Sequence, residues 1–262
     1  MPNTTELQSH TMHTIRFALP GLAALGLALT FSSGATAQTM SADTLVPPFS
    51  SYKPGGVPPP PWHGVIVTQQ KTPTKYELVE EDGTIVLHAF ADAAATGFGY
   101  PVKFDIRAAP IVSWRWKINR LIESADNTVA SREDSPARIV LEFDGDKSKL
   151  SVFERSGMAF AEKLAGHPVP YATLMYIWAN TGKVGTVIQN PHTGRVQMVI
   201  ASSGPQGVGS WQQLSRNVYE DYKKAFGEEP GQLTGVGVFT DTDNTGEKVE
   251  AWYGDISFKS SR

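Results

Sequence analysis

The chain has 262 residues, with 23 Lys and Arg against 26 Asp and Glu and a formal net charge of −3. That length suits one ordinary domain with room for a tail, and the lack of basic excess excludes a nucleic-acid binder that works by neutralising phosphates. There is no cysteine, which excludes disulfides, thiol chemistry, a Cys-type zinc site and a lipoprotein anchor.

In chain order, Arg16 precedes an uncharged apolar run over residues 17–31, and Ala35-Thr36-Ala37 follows as a small-x-small cleavage pattern. Residues 1–37 read as a signal peptide, because the run is too short and too rich in Gly and Pro for a membrane anchor. The expectation is an exported bacterial protein, periplasmic or secreted, with no transmembrane anchor after cleavage. Residues 38–61 are rich in Ser, Pro and Gly and end in four prolines, which predicts an extended lead-in. Trp62 then opens a single domain over residues 62–262.

From there the periodicity is mostly two. Runs at 76–80 and 85–89 flank Glu81-Asp82-Gly83, a hairpin signal. Residues 91–99 are small and read as a loop, with a short strand at 102–106. Residues 111–118 form the clearest strand: Val112, Trp114, Trp116 and Ile118 share one face, and Ser113, Arg115 and Lys117 the other. A polar loop covers 123–136, and 138–143 alternates again with Ile139, Leu141 and Phe143 inward. A short helix is expected over 151–164, weakened by Gly157. Strands follow at 174–179 and 196–200, joined through the turn-rich 190–194. Residues 215–226 read as the best helix, stopped by Gly227 and Pro230. Strands at 235–240 and 249–258 close the chain. Many short strands and few helices predict a mainly β fold, an antiparallel β-sandwich or jelly roll.

One ordered series of residues is specific as a set. It runs Ser113-Trp114-Arg115-Trp116-Lys117, Ala137-Arg138, Tyr176-Ile177-Trp178-Ala179, Arg216-Asn217-Val218 with Asp221-Tyr222, Asp241-Thr242-Asp243-Asn244-Thr245, and Tyr253-Gly254-Asp255-Ile256. The series resembles a family of exported bacterial proteins catalogued as domain of unknown function 3047, over most of residues 62–258. The resemblance implies export and a compact domain and brings no activity with it. Where the family pattern has paired aspartates and an aromatic before the arginine, this chain has Glu133-Asp134-Ser135-Pro136.

Trp114 and Trp116 are a stacking platform for sugar rings or, more simply, the inward face of a sheet, since Val112 and Ile118 share their side. Trp178, alternating with Tyr176 and Leu174, carries the same two readings. Lys117 lies on the opposite face, outside or along a groove. Residues 241–246 begin like a calcium loop, but the twelfth position is Trp252, where an EF-hand needs a bidentate Glu. A structural Ca²⁺ held by Asp241, Asp243 and Asp255 on a sandwich rim is one reading. A turn whose Asp and Asn side chains bond their own backbone is the simpler one. Arg138, Arg216 and Asp221 are either a partly buried ionic network or groups lining a cleft for a hydroxyl-rich or anionic ligand. Five residues apart, Arg216 and Asp221 point apart on a regular helix.

No nucleophile elbow, zinc-protease helix, phosphate loop or dinucleotide fingerprint occurs. His63, His88, His167 and His192 are scattered, and Glu142, Asp144 and Asp241 are acid/base candidates only loosely. The leading expectation is therefore a non-catalytic binder of carbohydrate or cell-envelope glycan, using Lys117, Arg138, Trp178, Arg216 and Asp221. The alternatives are a glycoside hydrolase or polysaccharide lyase on the same fold, and a structural or partner-binding envelope protein.

Overall fold

A computed structural model describes residues 45–68 and 70–261. The signal-peptide reading of residues 1–37 lies outside the described residues. The elements in order are β1 (His63–Ile66), β2 (Lys75–Glu81), β3 (Thr84–Asp92), β4 (Ala95–Phe104), β5 (Ile111–Ile118), β6 (Ser135–Phe143), α1 (Val152–Ala165), β7 (Ala172–Ala179), β8 (Val187–Gln189), β9 (Val196–Ser203), β10 (Gln212–Asn217), α2 (Val218–Phe226), β11 (Leu233–Asp241), β12 (Lys248–Tyr253) and β13 (Ser257–Lys259).

The strands make a β-sandwich. One sheet has the order β1-β4-β11-β6-β7-β9-β8, and the other β10-β5-β12-β3-β2 with β13 also on β5. Paired strands are antiparallel except β7 and β9, which run parallel. The alternation expected for β5 is what closes the sandwich: Val112, Trp114, Trp116 and Ile118 are all fully buried. Trp114 stacks on Tyr176 of the opposite sheet at 5.1 Å, and Trp116 meets Trp178 at 6.1 Å. Ile139, Leu141 and Phe143 of β6 fill the same core. The β2–β3 hairpin turns at Asp82 and Gly83, both at positive φ, as a two-residue Asp-Gly turn requires.

Four local expectations differ from the structure. Residues 95–99 are strand, not loop. Gly97 and Gly99 let β1 lie close, and Val65 fills the space a Cβ on Gly99 would take. The helix expected from Ser215 starts at Val218 instead, because Asn217 accepts the Glu220 N–H at 3.1 Å and caps it, leaving 212–217 in β10. Residues 249–258 break into two strands around Gly254. The lead-in is packed from Leu45 onward: Leu45, Val46 and Phe49 are buried, and the Phe49 ring lies 4.9 Å from Trp62. The helix at 151–164 does form as α1, where a reciprocal cap between Ser151 and Glu154 outweighs Gly157. Among the described residues no helix is long and apolar enough to cross a membrane.

Candidate functional site

The inward face of β5 leaves Arg115 and Lys117 on the outer face of the six-stranded sheet. Register places Lys117 opposite Trp252, Trp252 opposite His88, and His88 opposite Glu77. The result is one row of side chains across four strands, about 14 Å at the usual strand spacing. The Lys117 ammonium lies 4.6 Å from the Trp252 ring and 5.4 Å from Trp211, and Arg115 lies 4.4 Å from Trp211. His88 stacks on Trp252 at 4.9 Å, and its Nε2 is 2.8 Å from Glu250. Trp211 is held by an Nε1–H bond donated to Asp82 at 3.1 Å, and Lys117 pairs with Glu81 from the same turn. Beyond His88 the row opens into a hollow of about 350 Å³ lined by Gly56, Lys75, Tyr76, Glu77, His88 and Phe90. The face thus offers apolar ring surface edged by both charges, a chemistry suited to a polar ligand with an apolar side.

The other charged candidates are engaged within the fold. Arg138 is buried on the opposite sheet, where its Nη1 donates to Glu133 at 2.7 Å and its Nη2 to Asp241 at 2.8 Å. Burial and the Glu133 and Asp134 charges push the Asp241 carboxyl up, while Arg138 opposes them. Asp134 accepts N–H bonds from Asn244 and Thr245, tying the β11–β12 turn to the start of β6. Carboxylate oxygens of Asp134, Asp241 and Asp243 lie within 4.8 Å of one another. Lys71 is 2.5 Å from Asp243, whose Oδ1 is buried without a hydrogen-bond donor. Asp255 is not part of this cluster. It accepts from the Ser50 N–H at 2.9 Å and its hydroxyl at 2.6 Å, so of the three carboxylates expected together only Asp241 and Asp243 meet, with Asp134 beside them.

Arg216 and Asp221 meet, although five residues apart, because Arg216 is in β10 and Asp221 in the first turn of α2. They form a two-pronged pair at 2.5 and 2.8 Å, and Tyr176 donates to Asp221 at 2.9 Å. The pair is thus tied through Tyr176 to the seven-stranded sheet. Trp178 is fully buried, with Nε1–H donated to Gly204 O at 3.0 Å, so the ligand role expected for it is overturned.

A family profile described as protein of unknown function (DUF3047) matches residues 60–257. The chain belongs to this family. No curated protein matches the chain. Among solved structures, it is similar to the family 30 carbohydrate-binding module of the cellulosomal cellulase CEL9D-CEL44B of Clostridium thermocellum, at 11% identity and a TM-score of 0.38, covering 82% of this chain and 96% of that one. It is also similar to a cellulose induced protein, Cip1, at 14% identity and a TM-score of 0.28, covering 77% and 92%. At these scores neither likeness carries a functional argument.

Within the DUF3047 domain, sequence reasoning placed Lys117 on the correct outer face and missed both of its aromatic neighbours. A signal for Trp252 was available: Val249, Ala251 and Tyr253 alternate inward, which turns Trp252 outward. Trp211 sits just before β10 in a polar run and had no such signal.

Proposed function

We propose that this domain is a non-catalytic binder of carbohydrate, with its site on the outer face of the six-stranded sheet. One observation carries the reading. Four of the six tryptophans (Trp62, Trp114, Trp116 and Trp178) are buried, and the two partly exposed ones, Trp211 and Trp252, stand on that face on either side of Lys117. The reading includes export to the periplasm or beyond, on the strength of the pattern at residues 16–37. The test is a broad glycan array with the wild type, Trp252→Ala and Trp211→Ala. Saturable binding to one glycan class, weakened about tenfold or more by Trp252→Ala, is expected. Silence of the wild type on the array, or unaltered binding by both variants, removes this site.

The acidic cluster supports a structural role for Ca²⁺ alongside that reading. Among the described residues Glu133, Asp134, Asp241 and Asp243 set four carboxyls against the two cations Arg138 and Lys71. Burial and this crowding of acid push the Asp241 carboxyl up, and a divalent cation would relieve the crowding. Calcium is expected to raise the melting temperature and leave glycan binding unchanged, since the cluster belongs to the other sheet. A melting temperature indifferent to both calcium and chelator removes it.

A further inference from the structure

Helix α1 is an amphipathic helix turned inside out. Only Met158 and Ala165 are buried, whereas Phe153 is 87% exposed, Phe160 63% and Leu164 41%. Their spacing of seven and four residues puts these three on one stripe along a helix about 21 Å long. Val152 adds to its rim. His167, just past the helix, has Nε2 3.0 Å from the carbonyl of Ile66. That contact brings Ile66 and Val67, both nearly half exposed, to the same end. Among the described residues eight large apolar side chains are exposed, and six lie on α1 or on the Ile66–Val67 segment that meets its end.

The polar residues around the stripe are lopsided in charge. Glu154 is engaged by the Ser151 cap, and Glu162 pairs with Lys147 at 3.0 Å. Lys149 and Lys163 are exposed and have no carboxylate partner among the described residues, whereas Arg155 lies on the far side of the helix and donates to Ser148 O at 3.3 Å. We propose that this face docks on an anionic lipid bilayer, with Phe153 and Phe160 inserted at the headgroup boundary and Lys149 and Lys163 against lipid phosphates. An apolar face with flanking cations is the arrangement that lies in a membrane interface. The two phenylalanines present roughly 300 Å², at about 200 Å² per ring side chain. Even with the four aliphatic chains, the patch stays below the roughly 800 Å² per side that stable copy-to-copy interfaces bury.

The absence of native cysteine permits a test on the full chain that ignores any contribution from residues 17–31. An environment-sensitive fluorophore is placed at Phe160→Cys, or at Glu80→Cys on the other sheet as a control. Vesicles of phosphatidylglycerol and phosphatidylethanolamine are compared with phosphatidylcholine. The label at position 160 is expected to shift to the blue and be quenched by a lipid-borne quencher on the anionic vesicles, and the label at position 80 to stay unchanged. Reversing the two cations (K149E, K163E) is expected to weaken this transfer about thirtyfold. Such surface changes leave the fold intact, which circular dichroism checks. No shift on either vesicle overturns the proposal. So does a shift without lipid that grows with protein concentration, which would instead reveal contact with a second copy or another protein.

Discussion

Arg138 is 1% exposed on an outer sheet face, and its charge is tolerable only because Glu133 and Asp241 clamp it within 2.8 Å. Arg138→Met removes the cation and strands two buried carboxylates, which is expected to cost about 3–5 kcal/mol in a denaturant melt at neutral pH. The loss should shrink as acid neutralises Asp241, whose carboxyl is pushed up by burial. Glu142, farther along β6, is a second case. Burial raises its carboxyl above the ordinary range, with the His167 and His63 charges pulling it partly back. A carboxyl raised by folding binds its proton more tightly when folded, so its contribution falls as pH climbs from the unfolded value of about 4.3 through the folded one. Glu142→Gln is therefore expected to match wild type below that window and to melt at a higher temperature above it. Melts at pH 4 and 7 test this; equal effects at both would contradict the assignment. The same variant probes the enzymatic alternative, because glycan cleavage abolished by Glu142→Gln would move the reading to a hydrolase or lyase.

Among the elements, β5 was legible residue by residue because its inner face is unbroken apolar and its outer face unbroken polar. β4 was misread because its outer face is glycine. At that position glycine marks crowding by neighbouring strands, not a turn. A Cβ on Gly237 of β11 would lie 2.7 Å from the backbone oxygen of Phe98 and 3.1 Å from the Gly99 Cα. Backbone in the middle of a sheet has little room to yield, so Gly237→Ala is expected to destabilise the domain by about 1–3 kcal/mol in the same melts. The 215–226 segment shows a different limit. Its apolar spacing is helical throughout, yet pairing of Ser215–Asn217 with Ile111–Ser113 holds the first part in β10. Non-local hydrogen bonding overrides a local period, and it is this override that lets Arg216 face Asp221.

At the scale of the whole molecule, the packed domain begins upstream of Trp62. Phe49 is buried against Trp62, which in turn stacks on Phe98 at 5.7 Å. A chain beginning at residue 62 is expected to be less stable than one beginning at residue 39, by about the 3–5 kcal/mol that loss of a buried phenylalanine costs; equal stability would show the segment to be dispensable. The sequence by itself determined the fold class, most strand positions, the inward tryptophans of β5 and the absence of thiol chemistry. Those properties depend on composition and on the period of two, which any single strand carries in full. Only the tertiary structure decided which charges neutralise one another, that Asp134 and not Asp255 joins Asp241 and Asp243, and that Trp211 and Trp252 share an outer face with Lys117. These depend on register between strands distant in the chain, and register is set by how two complete sheets pack their inner faces together.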